Sequence, residues 1–296
     1  MVKPTYFGFN AQTAKTNVFQ HKITGPLDKT RKEASKEFKE MVRELRSNGI
    51  DILVLPSRKD VATPDAVFPN NWFSSHEDKI IVLYPMLTPS RRAERQPERL
   101  VALLKTAHIE KPKIIDLTKD EKKLNVLEGT GSLVLDREHS VAFAMESQRT
   151  SKAEFEKWCR IMKYKGVFFH AYDAKNFPVY HTNIIMTVGR KFAVVCLDAI
   201  KSGKEREVVR SRLEGLGKHV IPITMKQMYS FCGNLIQLIS ADGAPRIVLS
   251  AVALSAFTEA QKRELKGYGK LVVVNIPTIE KVGGGSARCM IAEIFR

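Results

Sequence analysis

Three residues of this 296-residue chain could together form a cysteine-based catalytic centre. Cys289 follows the glycine-rich stretch VGGGSAR, Glu128 opens the turn EGTG, and His181 stands just before an apolar stretch. A cysteine nucleophile needs a base or a cation that favours its thiolate. A histidine can carry the proton to a leaving amine, and a carboxylate can orient that histidine. Because the three residues are far apart in sequence, and a lone histidine is more often structural, this centre is a hypothesis about chemistry.

A further polar segment, residues 63–73 (TPDAVFPNNWF), contains one carboxylate and two carboxamides among aromatic residues. Asp65 and Asn71 in this segment could bind a substrate. Turn formation and capping explain Asp and Asn in such a loop about equally well. The segment is therefore a candidate binding loop.

The other three cysteines have the surroundings of core residues. Cys159 follows a tryptophan on a predicted helix, Cys196 lies in the apolar stretch AVVCL, and Cys232 follows a phenylalanine. The chain has no CxxC pair, so we expect no metal site, no redox motif and four reduced thiols. Cys289 differs because a glycine-rich stretch and the cation Arg288 precede it.

Composition and charge exclude several classes of protein. The excess of 48 Lys and Arg over 32 Asp and Glu gives a net charge of +16, which first indicates nucleic acid as a partner. The excess is spread along the chain without a basic tail or an RNA- or DNA-binding motif. We therefore expect no nucleic-acid partner, and a basic surface that attracts anionic ligands. The longest apolar run, residues 247–257, is too short to span a membrane. Since no secretory signal is visible, we expect a cytoplasmic protein.

Short apolar strands alternate with amphipathic helices along the chain, which predicts an α/β fold. No linker or shift in composition divides the chain, and no phosphate-binding glycine motif follows a strand. The predicted strands are residues 52–55, 80–84, 132–135, 141–144, 183–188, 193–197, 247–250, 271–275 and 290–294. The predicted helices are residues 30–47, 92–106, 152–164, 204–213 and 258–266.

The order of several motifs resembles the pentein superfamily, whose members include arginine deiminases, dimethylarginine dimethylaminohydrolases and amidinotransferases. The resemblance runs the length of the chain. It is greatest to the arginine-deiminase-related bacterial proteins called citrulline-utilisation hydrolases, which share the opening FNAQTAKTNVFQ and the signature FPNNWFS. The matching motifs are PDAVFPNN (64–71), SRRAE (90–94), LEGTGSLVL (127–135), SQRTS (147–151), YHTN (180–183) and KVGGGSARCM (281–290).

The resemblance implies a single catalytic domain over residues 1–296, folded as a pentein α/β propeller of five ββαβ units around a central active-site channel. It implies no cofactor, and a small ureido or guanidino amino acid as the substrate. By the same resemblance, Cys289 is the nucleophile, His181 the general acid and base, and Glu128 the carboxylate that pairs with His181 or with the substrate.

The remaining roles concern substrate binding. The resemblance implies that Asp65 and Asn71 face the reacting group. Arg92, from SRRAE, and Arg149, from SQRTS, look like the arginines that bind the substrate α-carboxylate by charge-assisted hydrogen bonds. Arg91 competes for that role.

Two departures from arginine deiminases bear on the substrate. Asn71 and Asn183 stand where those enzymes have carboxylates that pair with the guanidinium. A desolvated guanidinium needs compensating negative charge, whereas the carbonyl of a neutral ureido group can accept a hydrogen bond from an amide NH₂. The sequence therefore favours hydrolysis of the ureido group of L-citrulline, through a covalent thiol intermediate, to ornithine, ammonia and carbon dioxide.

Three alternatives remain at this point. The same residues could act on a guanidino substrate, arginine or a methylated arginine, or could transfer the group to an amine as an amidinotransferase does. A catalytically silent pentein that binds a partner is the third, and it would lack the Cys or the His that this chain has. The sequence also leaves open whether the chain forms a homo-oligomer.

Overall fold

The computed structural model of the protein describes residues 1–22 and 25–295 and contains four three-stranded sheets. In each sheet the first two strands are antiparallel and the third runs parallel to the second. The strands of successive sheets are β1 (Phe73–His76), β2 (Ile80–Leu83) and β3 (Lys113–Asp116); β4 (Val134–Asp136), β5 (Val141–Met145) and β6 (Lys165–Phe169); β7 (Met186–Val188), β8 (Phe192–Val195) and β9 (His219–Pro222); and β10 (Ile236–Ile239), β11 (Pro245–Ser250) and β12 (Lys270–Val274).

Helices connect the second and third strands of every sheet, because parallel neighbours require a crossover. The described helices are α1 (Leu27–Ser47), α2 (Pro89–Arg92), α3 (Pro97–Lys105), α4 (Gly129–Ser132), α5 (Lys152–Met162), α6 (Thr182–Ile185), α7 (Gly203–Gly215), α8 (Met225–Tyr229), α9 (Ala251–Ala256), α10 (Glu259–Tyr268) and α11 (Pro277–Gly283). Short 3-10 turns cover Thr13–Lys15, Pro69–Asn71, Thr118–Lys123, Leu197–Ala199 and Ala287–Met290.

The repeated unit is therefore ββαβ, and the predicted α/β class is confirmed. Four such units are formed by the four sheets. Near the N-terminus, Val2 pairs in parallel with Leu55 across α1, which is the same strand–helix–strand order. The four sheets do not join into a closed sheet in the part of the chain that the structure describes.

Packing follows the sequence pattern. On α1 the buried side chains recur at helical spacing, with Ala34, Phe38, Met41 and Leu45 facing the core beside β12 and α11. All five residues of β5 are buried, as expected for a central strand covered on both faces. No helix among the described residues is long and apolar enough to cross a membrane.

Two predicted strands begin with a helical turn instead. The strand expected at residues 132–135 is preceded by α4, and the one expected at 183–188 starts with α6 before β7. A short apolar run occurs both in strands and in buried helical turns, so the sequence pattern could not distinguish the two structures here. Both turns carry candidate site residues at or next to their N-termini.

Three other predicted elements differ from the structure. The helix predicted at 92–106 is two helices, α2 and α3, because Pro97 lacks the N–H that a continuous helix needs. Residues 52–55 contribute only an isolated bridge at Leu55, and 290–294 form no ladder among the described residues.

Candidate active site

The candidate segments of the sequence meet around one narrow cavity. The turns Pro69–Asn71 and Ala287–Met290 contact each other, and α4 contacts both Pro69–Asn71 and α6. The cavity between them is small, with a volume of about 10 Å³. Most of the cavity's lining residues are polar or charged: Thr13, Asn17, Gln20, Asp65, Phe68, Asn71, Arg91, Arg149, Tyr180, His181, Gly283, Gly285 and Cys289.

Cys289 lies on the 3-10 turn Ala287–Met290, where its backbone N–H donates to Ser286 O at 3.0 Å. Its side chain is buried, and its Sγ lies 3.5 Å from Asn183 Nδ2 and 3.3 Å from Asn234 Nδ2. Burial raises the pKa of the Cys289 thiol, although both amides oppose that shift. The sulfur is therefore a buried nucleophile candidate surrounded by amide donors.

Glycines before Cys289 allow the chain to pack closely against neighbouring segments. Gly284 ends α11 in the left-handed conformation with φ of 63°. A side chain at Gly283 would collide with the Phe68 ring, since its Cβ would stand 2.7 Å from that ring. The glycine-rich stretch thus packs directly against the segment 63–73.

His181 and Glu128 form a buried pair. His181 Nε2 lies 2.9 Å from Glu128 Oε2, and Glu128 Oε1 accepts a hydrogen bond from Leu87 N at 3.0 Å. Burial alone would raise the pKa of Glu128, but Arg149 and His181 outweigh it and lower the pKa to about 2. Burial lowers the pKa of His181 to about 4, against the opposing effect of Glu128. Near pH 7 the pair is therefore an ionised carboxylate and a neutral imidazole.

The tautomer of His181 follows from this pair. Because the carboxylate of Glu128 can only accept, we assign the imidazole proton to Nε2, which leaves a lone pair on Nδ1. A Cβ at Gly131 would stand 2.7 Å from His181 Nδ1 and 2.3 Å from Asn71 Nδ2, so these two nitrogens lie within about 5 Å of each other. The lone pair of a neutral base and an amide donor thus share one side of the cavity.

Asn71 is held by Arg91. Arg91 Nη1 donates to Asn71 Oδ1 at 3.0 Å, and Nη2 donates to Phe68 O at 3.0 Å. With its oxygen occupied, Asn71 has its NH₂ group buried and without a hydrogen-bond partner among the described residues. Arg91 itself is buried, with Nε 2.7 Å from Glu94 Oε1. The arrangement presents one unused donor at the cavity.

Asp65 accepts hydrogen bonds from the N-terminal segment. Asn10 Nδ2 and Thr13 Oγ1 donate to Asp65 Oδ2 at 2.8 and 2.9 Å, and Gln20 Nε2 donates to Oδ1 at 3.4 Å. Burial raises the pKa of Asp65, and the positive charge of Arg91 opposes this. A carboxyl group is thus present in the cavity as well as the amides.

The two arginines proposed for the substrate carboxylate lie in different places. Arg149 lines the cavity; its Nη2 donates to Thr13 O at 2.8 Å, and its guanidinium lies 4.9 Å from the centre of the Tyr180 ring. Its Nη1 lies 3.6 Å from Glu128 Oε2, beyond hydrogen-bond distance. Arg92 does not line the cavity, because it is half-exposed and donates to Met86 O and Leu87 O at 2.8 and 3.0 Å. Its competitor Arg91 lines the cavity instead.

The other cysteines lie away from the cavity. Burial raises the pKa of Cys159 and Cys232 to about 12 and that of Cys196 to about 11. All four thiols are free. Within residues 1–22 and 25–295, no group of three or more His, Cys, Asp or Glu side chains is arranged to hold a metal ion.

Sequence reasoning assigned no role to several residues of this site. Asn234, which contacts the sulfur, follows only a Gly in the sequence FCGNLIQL, and that carries no chemical signal. Tyr180, whose hydroxyl donates to Gly284 O, and the N-terminal partners of Asp65 lie within the matching motifs, so the resemblance marked their segments without their roles.

Comparison with known proteins adds the family. A family model described as eukaryotic N,N-dimethylarginine dimethylhydrolase matches residues 3–296. The sequence has no significant match among curated proteins.

Solved structures share the fold at low identity. ArgZ, an arginine dihydrolase from the ornithine–ammonia cycle in cyanobacteria, gives a TM-score of 0.75 at 15% identity, with 100% of this chain covered and 40% of that chain. This chain therefore spans less than half the length of full-length ArgZ. The substrate-bound N-terminal domain of ArgZ gives 0.73 at 16% identity, covering 98% of this chain and 95% of that domain. DDAH from Pseudomonas aeruginosa, complexed with citrulline, gives 0.63 at 15% identity and 88% coverage of each chain.

These findings confirm the resemblance to the pentein superfamily. The family model covers nearly the whole chain, and the solved structures of similar fold include an arginine dihydrolase and a DDAH. The chain thus belongs to the N,N-dimethylarginine dimethylhydrolase family, within the pentein superfamily.

Proposed function

We propose that the protein hydrolyses the ureido group of L-citrulline to ornithine, ammonia and carbon dioxide. The observation that carries this proposal is the unused NH₂ group of Asn71, whose oxygen is occupied by Arg91. A donor fixed in this way suits the carbonyl oxygen of a neutral ureido group. A guanidinium at the same place has only donors to offer, and two donors repel.

The proposed reaction begins with Cys289 and His181 both neutral. His181 Nδ1 takes the thiol proton, the thiolate attacks the ureido carbon, and the same proton passes to the departing nitrogen as the carbon–nitrogen bond breaks. Ornithine leaves and the carbamoyl group stays on sulfur. Water, which gives a proton to His181, then attacks the carbon of this thiocarbamate; the carbon–sulfur bond breaks, His181 returns the proton to the sulfur, and the carbamic acid released decomposes to ammonia and carbon dioxide. Throughout the reaction, Glu128 accepts a hydrogen bond from His181 Nε2–H and stabilises the imidazolium that forms.

A second candidate substrate is a guanidino compound, arginine or a methylated arginine. Asp65 supports it, because a buried carboxylate in the cavity could compensate a guanidinium. The family description and ArgZ, an arginine dihydrolase, are also consistent with it. Amidino transfer would use the same residues with an amine in place of water.

Product analysis distinguishes these reactions. The protein is incubated separately with citrulline, arginine and dimethylarginine, and the products are identified by mass spectrometry. We expect ornithine from citrulline, with kcat/KM for citrulline more than tenfold above that for arginine, because an uncompensated buried guanidinium costs several kcal/mol. Citrulline accumulating from arginine or dimethylarginine, with citrulline itself unreacted, would contradict the proposal. Addition of an amine acceptor, such as glycine, tests the transfer alternative.

The two asparagines test the same proposal by substitution. Restoring both carboxylates, in Asn71→Asp/Asn183→Asp, should lower kcat/KM for citrulline and raise it for arginine, because a carboxylate repels the ureido carbonyl and attracts the guanidinium. Both kcat/KM values are expected to change by at least about tenfold, since a single charge at a partly desolvated site already has an effect of that size. The assay is kcat/KM for both substrates in both proteins.

The single variant Asn71→Asp is the sharper form of this test. Asn183 also contacts Cys289 Sγ, so its replacement changes the nucleophile as well as the substrate site. Asn71 has no such contact. If Asn71→Asp leaves the ratio of the two kcat/KM values unchanged, Asn71 does not select the substrate.

The finer architecture is part of the proposal. We propose a single domain over residues 1–296 with a fifth unit built from the Val2–Leu55 pair, α1 and the C-terminal segment around the cavity. Four unpaired cysteines are compatible with a reducing compartment, so we propose a cytoplasmic location. The binding partner is a small ureido or guanidino amino acid.

A further inference from the structure

We propose that Asn234 is a catalytic residue that donates a hydrogen bond to Cys289 Sγ and thereby favours its thiolate. The inference rests on the proposed function in one respect, the role of Cys289 as nucleophile. Asn234 lies outside the motifs that carry the family resemblance, and its side chain is fully buried against the sulfur.

The orientation of the Asn234 amide is fixed by a second hydrogen bond. Its Nδ2 donates to Asn183 O at 2.8 Å and lies 3.3 Å from Cys289 Sγ. Rotating the amide by half a turn would place its oxygen against the oxygen of Asn183, which repels it. The NH₂ group therefore directs one hydrogen to the backbone carbonyl and the other to the sulfur.

Asn183 is held in the same way. Its Nδ2 donates to Thr130 O at 3.1 Å and lies 3.5 Å from the sulfur. The two amides thus approach Cys289 from α6 and from the segment before β10, and each is oriented by a carbonyl. The amide oxygens, which could accept the hydrogen of a neutral thiol, lie farther from Sγ than the amide nitrogens, at 3.6 Å for Asn234 and 3.9 Å for Asn183. The shorter contacts are those of the donors, and donors favour a charged acceptor.

The backbone before Asn234 is shaped to bring it there. Phe231 adopts the left-handed conformation with φ of 60°, which is unfavourable for a bulky residue. A Cβ at Gly233 would stand 2.3 Å from Ile184 O, so only glycine allows this close approach to α6. The capping box of α8, between Thr224 and Gln227, fixes the start of the same segment. This local strain is consistent with a positioned functional group.

Arg288, the cation next to Cys289 in the sequence, does not donate a hydrogen bond to its sulfur. Arg288 donates to Ile291 O at 2.9 Å and to Glu293 Oε2 at 3.2 Å, and it forms no hydrogen bond with the sulfur. Burial raises the pKa of the Cys289 thiol, and the amide of Asn234 opposes this most, ahead of the Ser286 backbone, the charge of Arg288 and the amide of Asn183. Of the two, Asn234 lies closer to the sulfur.

The test measures ionisation of the thiol without substrate. The rate at which iodoacetamide alkylates Cys289 is followed against pH by mass spectrometry of its peptide in the full-length protein. In Asn234→Ala we expect the apparent pKa of alkylation to rise by about one unit, the loss of one hydrogen bond to a charged acceptor. In Asn234→Asp, nearly the same shape, we expect a larger rise because a carboxylate faces the sulfur. Asn48→Ala, which removes a buried amide at the C-terminus of α1, should leave the pKa unchanged.

Turnover provides the second measurement. Asn234→Ala should lower kcat about tenfold with little change in KM, whereas a loss of folded protein would lower the amount of active enzyme and leave the alkylation pKa unaltered. Circular dichroism checks that each variant folds, and Asn234→Leu, which has a similar shape and no donor, serves if Asn234→Ala does not. An alkylation pKa equal to that of the wild type in both Asn234→Asp and a folded Ala or Leu variant would overturn the proposal. Because alkylation requires no substrate, that result is separable from a wrong assignment of the substrate.

Discussion

Cys289→Ser is expected to lower kcat/KM by at least about a thousandfold, as removal of a covalent nucleophile commonly does. The serine hydroxyl would occupy the same cavity between Asn183 and Asn234. It is a far weaker nucleophile, because the neutral His181 cannot draw its proton as it can that of a thiol. The measurement is steady-state turnover of citrulline, with arginine and dimethylarginine as parallel substrates.

Cys159→Ser is the matched control. Cys159 lies on α5, away from the cavity, and the pKa of its thiol is raised to about 12 by burial. We expect this variant to keep turnover within a few-fold of the wild type, as ordinary substitutions outside an active site do. Turnover by Cys289→Ser close to that of the wild type would exclude the covalent mechanism.

A covalent intermediate gives independent evidence for the same step. After rapid quenching during turnover, intact-mass analysis should show the mass of the protein plus a carbamoyl group, located on the Cys289 peptide. Prior alkylation of Cys289 should abolish that species, and substrate should slow the alkylation. Adduct found on Cys196 or Cys232 instead would point to a different nucleophile.

The sequence suggested candidate residues for the chemistry but not their geometry. Cys289, His181 and Glu128 were chosen as candidates because of their residue types and because each lies at a glycine-rich stretch, a turn or the start of an apolar stretch. The structure brings His181 to 2.9 Å from Glu128 and lines one cavity with His181 and Cys289. These contacts join residues more than fifty positions apart, and such distances depend on how the units pack together.

Arg91 and Arg92 show a limit of a different kind. Both belong to the motif SRRAE, and both are at the end of the short helix α2. Successive helical residues point about 100° apart, so only one of them can face the cavity. Arg91 is buried towards Asn71, while Arg92 turns to the carbonyls of Met86 and Leu87. Nothing in the sequence of two adjacent arginines specifies which one turns inwards.

Asn234 could not be identified from sequence for another reason. Its function depends on the hydrogen bond from its amide to Asn183 O, and on the close approach that Gly233 permits to Ile184. A glycine followed by an asparagine gives no sign of catalysis, because both residue types are common in turns. Oriented amides at a sulfur can be recognised only once the backbone is known.

Arg149→Ala is expected to lower kcat/KM for citrulline by about 30- to 1000-fold, or about 2 to 4 kcal/mol, if Arg149 binds the substrate α-carboxylate. Arg149 is buried in the cavity wall, and its Nη1 lies 3.6 Å from Glu128 and is free of shorter hydrogen bonds among the described residues. Nη1 of Arg149 is therefore available to donate to the α-carboxylate of the substrate. Arg92→Ala is the control, since Arg92 does not line the cavity, and we expect a loss of less than about fivefold.

Arg149 has a second role that this experiment must separate from substrate binding. Its positive charge helps to lower the pKa of Glu128, so its removal also weakens the pair between Glu128 and His181. We therefore compare citrulline with its analogue that lacks the α-carboxylate, in the wild type and in Arg149→Ala. If Arg149 binds the carboxylate, the wild type prefers citrulline strongly and the variant loses most of that preference, because only the carboxylate-bearing substrate had the contact to lose. If Arg149 acts only through Glu128, both substrates lose activity by the same factor and the preference is unchanged. Equal reactivity of the two substrates in the wild type would show that no arginine of this cavity holds the carboxylate.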